Sequence, residues 1–167
     1  MNLTPSLSQA SARRPFATQV QVALRPVPIV RLRLALGSWS NRHFEHTLYP
    51  LRTPHAQRLG RYAAAFDCVE LDILHHQVEE EGKLEDWAQQ VPKGFVFLPK
   101  MHKEVTHGGA ELDKTQVAAR KRRAEQFLAE LEPLREAGVL GPVLLQFPPS
   151  LKREAGWDLI VRLLSLG

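Results

Sequence analysis

Two carboxylates separated by one residue are the first feature of this sequence that suggests chemistry. Glu70 and Asp72 lie in the apolar stretch FDCVELDIL, which is typical of a buried strand. Side chains two apart on a strand point to the same face. Carboxylates held side by side repel each other and separate their pKa values, so one can act as an acid and the other as a base. The alternative is that each pairs with an arginine or lysine, but an unpaired interior carboxylate is costly, which favours function.

A basic residue follows the next strand candidate. Lys100 comes directly after GFVFLP, which should end at its proline because proline cannot donate to a β-ladder. An ammonium group there would suit a phosphate, carboxylate or enolate. The alternative is a salt bridge to Glu70 or Asp72, which would not exclude anion binding. We therefore predict that Lys100 clamps an anionic ligand.

Histidines cluster after the same two strand candidates, at His75, His76, His102 and His107. Together with Asp72 they offer the donors that zinc and iron prefer. Their spacing matches no motif such as H-E-x-x-H, and adjacent histidines diverge in an extended segment. We predict no cofactor, with a metal ion as the minority alternative, and assign His107 to acid/base chemistry or phosphate contact.

Three further residues sit where strand candidates end. Ser38 and Trp39 follow the strand in IVRLRLALGSWS and could bind and stack on a sugar or base ring, or form a turn and an aromatic plug. Gln146 precedes two prolines, and its amide could orient a ligand or satisfy backbone groups that the prolines leave unpaired. With Asp72, these residues are predicted to shape the substrate pocket.

The only dense basic run, RKRR at Arg120–Arg123, raises nucleic-acid binding as an alternative function. Four consecutive helical residues sweep most of the way round the helix axis, so they cannot line one groove. Nearby glutamates dilute their field. A solvated helix face is therefore favoured over a nucleic-acid surface.

The elements that must position these residues alternate along the chain. Strand candidates begin near Val30, Phe66, Gly94 and Gly141, and a helical stripe follows each. This alternation predicts an α/β fold of about four βα units, with parallel strands joined by right-handed crossovers. An open doubly wound sheet and a (β/α)8 barrel both fit. A full barrel takes about 250 residues, so four units amount to a partial (β/α)8 TIM barrel.

Two helices carry specific boundary signals. Thr53 is predicted to cap the first helix, with Pro54 at its first position. The third helix is expected over residues 113–136, and Pro133 should kink or shorten its last turn. Its inward stripe is predicted from the apolar spacing to be Val117, Ala124, Phe127, Leu128, Leu131 and Leu134.

Composition limits the class of protein. A chain of 167 residues fits one domain, and 44% apolar with 24% charged residues is ordinary for a soluble globular protein. No apolar run is long enough to span a membrane. The single cysteine, Cys68, excludes a disulfide framework and predicts a reducing, cytoplasmic location. Residues 1–28 are acid-free and are predicted to be a disordered or leader-like tail before a domain at 29–167.

Four stretches in order resemble the YecE-like family, catalogued as domain of unknown function 72. They are LGSWSNRHFEHTLYP (Gly-x-Ser-x-Trp…Phe-Tyr-Pro in the family), FDCVELD (Val-Glu-Ile-Asn), GFVFLPKMHKEVTH (Phe-x-Phe-x-x-Lys…Thr-His) and GPVLLQFPPSL (Gly-Pro-x-Leu-x-Gln-Leu-Pro-Pro-Ser). The resemblance implies a TIM barrel, of which this chain would be the N-terminal half, and no assigned biochemical role. Where the family reads Asn-Ser-Thr-Phe-Tyr, this chain has residues 72–76, DILHH, so ligand recognition there is expected to differ.

These observations define one main hypothesis and its alternatives. The intact barrel is expected to be an enzyme, hydrolase- or lyase-like, in which Glu70 and His107 carry protons and Lys100 holds a small anionic substrate. The enzyme expectation comes from fold analogy. Two exposed parallel edges predict a second chain that completes the barrel, or a homodimer. The remaining alternative is an inactive, truncated remnant.

Overall fold

The centre of the fold is a pair of parallel strands. Strand β1 (Cys68–Leu71) pairs with strand β2 (Val96–Pro99), in a register that runs from Cys68 opposite Val96 to Leu71 opposite Pro99. The computed structural model describes residues 32–107 and 113–164, so the predicted tail at 1–28 lies outside the described residues. The protein is a mixed helix and strand fold with parallel pairing, as the alternation of its elements predicted.

Two extended segments flank this pair, one on each side. Beside β1, the backbone N–H of Glu70 donates to the carbonyl of Leu36 at 3.1 Å. Beside β2, parallel bridges join Phe97 to Leu140 and Lys100 to Leu144. The four predicted strand segments therefore lie side by side in chain order.

The first and fourth segments are not the regular strands that the sequence predicted, and their backbone bonding gives the reason. In the first, the Tyr62 hydroxyl accepts the N–H of Leu36 at 2.9 Å, and the Cys68 thiol donates to the Leu34 carbonyl at 3.4 Å. Side chains thus occupy groups that a ladder would use.

In the fourth segment an extra residue interrupts the ladder. Phe97 and Lys100 are three residues apart on the β2 side, whereas their bridge partners Leu140 and Leu144 are four apart. One additional residue opposite a strand makes a β-bulge. Pro142 lies within it and has no N–H to donate.

Six helices surround the strands in the described part of the chain. Their bounds are α1 (His55–Ala65), α2 (Lys83–Gln89), α3 (Lys103–Thr106), α4 (Lys114–Glu130), α5 (Glu132–Glu136) and α6 (Arg153–Leu164), and short 3-10 turns lie at Arg42–Phe44 and Asp72–His75. The single turn of α3 was not predicted from the sequence. None of the helices between residues 32 and 164 has the length and apolar character needed to cross a membrane.

The first helix begins one residue later than predicted. Thr53 does not cap it, because its hydroxyl donates to the Pro50 carbonyl at 2.8 Å within the preceding turn. Pro54 is the N-cap residue and makes no side-chain capping bond. The prediction of a threonine cap was therefore wrong, since the turn before the helix already uses the hydroxyl.

The helix that the sequence analysis predicted as the third is α4, and it ends where Pro133 led us to expect. Asp113 caps α4 through a reciprocal bond with Gln116, and the helix breaks at Leu131 before Pro133, whose ring cannot continue it. Phe127 and Leu131 are buried as expected. Leu128 is 52% exposed, against the prediction, because it lies about 100° round the axis from Phe127.

Aromatic side chains fill the space between the strands and helices. Tyr62 of α1 and Phe97 of β2 are fully buried, and Phe95 meets Phe97 edge-on with ring centroids 5.2 Å apart. The buried Tyr62 hydroxyl donates to the carbonyl of Cys68 at 3.0 Å while it accepts from Leu36. Burial raises the pKa of this hydroxyl, so it stays protonated and joins the first segment to β1.

The close approach of the fourth segment to β2 is tested by Gly141→Ala. A Cβ at this position would clash with Val96 and lie 2.9 Å from the carbonyl oxygen of Phe97. Overpacking of this kind typically costs about 1–3 kcal/mol, and we expect a loss of unfolding free energy in that range in urea titrations. The control is Gly60→Ala, inside α1, where a Cβ would meet only Gln90 O at 3.6 Å and should add about 0.5–1 kcal/mol. A Gly141→Ala protein as stable as the wild type would contradict this packing.

Candidate functional site

The register of the two strands brings an acid and a base together. Leu71 and Pro99 are opposite each other at the ends of β1 and β2, so the next residues, Asp72 and Lys100, also meet. The Lys100 ammonium donates to Asp72 Oδ1 at 2.7 Å. The lysine side chain is 13% exposed and the aspartate side chain is 45% exposed, so the pair lies at the protein surface and the lysine is the more buried partner.

This ion pair fixes the charge of the aspartate. The hydrogen bond from Lys100 lowers the pKa of Asp72, burial opposes the shift, and the charges of Lys100, His76 and His75 lower the pKa further. Asp72 is therefore a carboxylate at neutral pH and holds the lysine in place. An ammonium has three N–H donors, so Lys100 keeps donors for a second anionic partner.

A cavity of about 350 Å³ opens beside Asp72, and neither Lys100 nor His107 is among the residues that line it. It is lined by four predicted site residues, Ser38, Trp39, Glu70 and Asp72. This volume is at the small end of the range for small-molecule sites. Glu70 is half-buried here, and no cation among the described residues pairs with its carboxylate. The cavity can therefore present a free carboxylate to a small polar ligand.

Ser38 and Trp39 form part of the wall of this cavity. Of the two roles considered for them, the structure matches the turn serine and the aromatic plug better than ring stacking. Trp39 is 7% exposed, and its ring meets the ring of Trp87 edge-on with centroids 4.9 Å apart. The Ser38 hydroxyl accepts the backbone N–H of Ser40 at 3.0 Å. The indole is part of the core, so it closes the cavity and leaves little face for stacking.

A row of imidazoles lies next to the ion pair. The prediction that His75 and His76 diverge was wrong, because the chain leaves the extended conformation after Leu71 and forms a 3-10 turn. The ring of His75 lies 4.8 Å from that of His76 and 4.9 Å from that of His107, between centroids. His75 is buried, and its Nδ1 is 2.6 Å from the Met101 carbonyl.

His107, like His76, is an exposed member of the row. It follows α3, and its Nδ1 is 3.0 Å from the hydroxyl of Thr106. Burial lowers the pKa of His107, and the nearby charges of His75, Lys100 and His76 lower it further. The imidazole is therefore neutral at pH 7 and can accept a proton.

The same residues do not form a metal centre in the described part of the chain. No three histidine, cysteine, aspartate or glutamate side chains there are close enough together to hold an ion. Asp72 is engaged by Lys100, and Nδ1 of His75 is engaged by the Met101 carbonyl.

Gln146 is absent from the cavity lining, whereas several residues that the sequence analysis did not select are part of it. Gln146 is exposed and lies outside the cavity that the described residues form. The cavity lining also includes residues that the sequence analysis did not select, at Gly37, Ser40, His55, Leu71, Ile73, Glu79, Lys83 and Trp87. His55 and Lys83 begin α1 and α2, so only the positions of helix starts in three dimensions could have identified them.

The basic run Arg120–Arg123 does not form a single charged face. Arg120 is buried and donates to the carbonyl of Val105 at 3.4 Å. Arg123 is 12% exposed, with Nη1 3.1 Å from Glu130 and Nε 3.6 Å from Glu104. These contacts turn two of the guanidinium groups inward, as expected from residues that sweep round a helix.

Replacement of Asp72 by asparagine should remove a pH-dependent part of the stability. The pKa of Asp72 is lowered in the folded state, so its contribution is present above about pH 4 and is lost as the pH falls through the folded pKa. We expect Asp72→Asn to unfold at lower urea than the wild type at pH 6.5, with a difference that shrinks at pH 2.5. Glu125→Gln, in the exposed pair with Lys121, should change stability by about 0.5 kcal/mol or less. A pH-independent difference for Asp72→Asn would contradict the ion pair.

Solved structures and a family model resemble this chain. A DUF72 family protein from Enterococcus faecalis is 22% identical over 80% of this chain and 45% of that chain, with a TM-score of 0.59. One from Thermotoga maritima is 25% identical over 77% of this chain and 49% of that chain, with a TM-score of 0.59. The chain thus spans about half the length of the solved structures it matches, and no curated protein matches it. The family model "Protein of unknown function DUF72" matches residues 33–166, so the chain belongs to the DUF72 family, the YecE-like family of its four motifs.

Proposed function

We propose that this chain forms part of a (β/α)8 barrel, with its site at the carboxyl ends of the strands. The four segments lie side by side in chain order, whereas a doubly wound sheet reverses its order at a switch point. Asp72 and Lys100 both follow strand ends, where the active sites of such barrels are built. The chain order of the segments favours the barrel over the open sheet, whereas a site at the carboxyl ends of the strands fits both architectures.

The proposed activity is acid/base chemistry on a small phosphate- or carboxylate-bearing substrate, in a hydrolase- or lyase-like reaction. The observation that carries it is the Lys100–Asp72 pair beside a cavity lined by Glu70, whose carboxylate pairs with no cation of the described residues. Lys100 is already oriented by Asp72, so it can bind an anion with little further ordering. Glu70 and His107 supply two groups of different type for proton transfer.

The electrostatics of the site support an anionic ligand at Lys100. The groups that act on His107 are His75, Lys100, His76 and Lys103, all of them basic. A ligand anion beside Lys100 and Lys103 would be attracted by both ammonium groups. Glu70 and Asp72 both line the cavity, and Lys100 bonds to Asp72, so the proposed ligand would meet the ion pair and the carboxylate of Glu70 at the same opening.

The test compares Lys100→Ala with Lys93→Ala, an exposed lysine that precedes β2. The purified chain and both variants would be assayed against phosphosugars and phosphodiesters, and titrated with inorganic phosphate. A lost charged hydrogen bond is worth about 1.5–3 kcal/mol, so Lys100→Ala should weaken activity or phosphate binding by roughly 10- to 100-fold. Lys93→Ala should match the wild type. Equal values for the Lys100 variant and the wild type would overturn the clamp, and binding without turnover would favour the inactive remnant.

We further propose that a second chain, either another half or another copy of this one, pairs with the outer segments. Leu34, 76% exposed, lies on the segment beside β1, and Leu144, 42% exposed, lies on the segment beside β2. Exposed apolar edge segments are templates for pairing with another chain. The single cysteine is buried, which suits a reducing, cytoplasmic location for such an assembly.

Light scattering after size exclusion tests the homodimer. We expect a mass twice 18.9 kDa, and a shift to the monomer in Leu34→Lys, because a charged side chain on an edge blocks pairing. Leu51→Lys, at a 55% exposed turn position, should leave the dimer intact. A wild-type monomer at all concentrations would exclude the homodimer and leave a different second chain as the partner.

A further inference from the structure

His102 is a buried histidine at the start of the single-turn helix α3. The residue is 6% exposed and lies two positions after Lys100. Its Nδ1 accepts the backbone N–H of Glu104 at 3.3 Å, so the imidazole is the N-cap of the helix. An acceptor nitrogen needs its lone pair, which places the proton of the neutral ring on Nε2. The cap therefore exists only while His102 is neutral.

Charged side chains from two helices surround this imidazole. On α3 itself, Nδ1 of His102 lies 3.8 Å from Oε2 of Glu104, and Lys103 is the next residue along the chain. From α4, Arg123 brings its Nε within 3.6 Å of the same Glu104 carboxylate and its Nη1 within 3.1 Å of Glu130. Burial lowers the pKa of His102, the charge of Arg123 lowers it further, the two glutamates raise it, and Lys103 lowers it. The net shift is downward, so the imidazole is neutral at pH 7.

Arg123 has little capacity to tolerate a second cation beside it. Its side chain is 12% exposed, and its Nη2 is a buried atom without a hydrogen-bond partner among the described residues. The guanidinium therefore depends on the carboxylates of Glu104 and Glu130. A proton on Nδ1 of His102 would compete for the Glu104 carboxylate and add a positive charge next to a guanidinium that is already incompletely paired.

We propose that His102 is a pH-sensitive cap, and that its protonation opens the start of α3. The proton enters at Nδ1, which then donates instead of accepting, so the backbone N–H of Glu104 loses its partner. The imidazolium turns to the carboxylate of Glu104 and draws it away from Arg123. The cap needs no ligand, so it does not depend on the acid/base function proposed above.

The opening would reach His107, because α3 is only one turn long. The N–H of His107 donates to the Lys103 carbonyl at 2.7 Å, so the last bond of the helix depends on its first residue. The middle of the segment stays attached to α4, since Val105 is fully buried and its carbonyl accepts from Arg120 at 3.4 Å. Acid would thus release the two ends of α3, His107 included, and leave its centre in place.

The first test follows the cap in nuclear magnetic resonance spectra of the full chain between pH 8 and pH 4.5. The ring C2–H of His102, identified by its loss in His102→Asn, should titrate with a pKa below the ordinary histidine value of 6.5. The backbone amides of Glu104 and His107 should shift with the same midpoint. Amides that do not follow this midpoint, or a pKa of His102 at or above 6.5, would overturn the proposal.

The second test measures the opening by hydrogen exchange at the His107 amide. Below pH 6.5 the open form binds a proton that the closed form excludes, so the open fraction should rise by up to about tenfold per pH unit until the lowered pKa is reached. Protection of this amide, corrected for its intrinsic exchange rate, should fall accordingly. In His102→Asn the amide oxygen is a preferred cap that does not titrate, so this dependence should disappear. His46→Asn is the control, since His46 is exposed with a φ of 67°, a conformation that asparagine also adopts.

A second variant keeps the test decisive if His102→Asn does not fold well. Glu130→Gln removes a carboxylate that raises the pKa of His102, so the midpoints of the His102 ring and of the Glu104 amide should move to lower pH together. A Glu104 midpoint that stays fixed while that of His102 moves would overturn the proposal. So would a folded His102→Asn protein in which protection of the His107 amide falls with pH as it does in the wild type.

Discussion

The parallel pairing of β1 with β2 is the constraint on which the rest of the structure depends. Its register sets Leu71 opposite Pro99, and the two residues that follow, Asp72 and Lys100, form an ion pair as a direct result. A slip of one residue would turn each side chain to the other face of the strand and separate the charges. The pairing therefore places both the apolar core below it and the charged groups above it.

Groups that satisfy the backbone hold the neighbouring segments against this pair. The Tyr62 hydroxyl bonds to both Leu36 and Cys68, which ties the first segment to β1 from within the core. On the other side, Gly141 permits a close approach to the carbonyl of Phe97. Buried polar groups that lack such partners are costly, so these few contacts carry much of the order in the outer segments. The backbone contacts of the fourth segment also fix the peptide that links Lys100 to Met101, and this peptide positions Lys100 in the site.

Local sequence signals predicted the elements that depend on local chemistry. Apolar runs located β1 and β2, the helix expected over residues 113–136 matched the start of α4, and Pro133 correctly predicted a break in its last turn. The failures have tertiary causes. The hydroxyl of Thr53 bonds within the preceding turn. The first segment bonds to side chains, and the fourth segment carries a bulge. The spacing of apolar residues along the sequence reveals none of these contacts. For the site, residue type and strand ends selected Glu70, Asp72 and Lys100, whereas the orientation of His75 became visible only with its turn.

The bulge in the fourth segment has a consequence for how this region could vary. Side chains alternate between the two sides of an extended chain, and the extra residue shifts that alternation for everything downstream. Leu144 and Gln146 accordingly face outward, while Leu145 and Phe147 are half-buried. Loss of one residue between Leu140 and Val143 would invert this sidedness over the whole stretch and bring the amide of Gln146 inward. The loss or gain of one codon there would therefore change which side chains of the fourth segment face the interior.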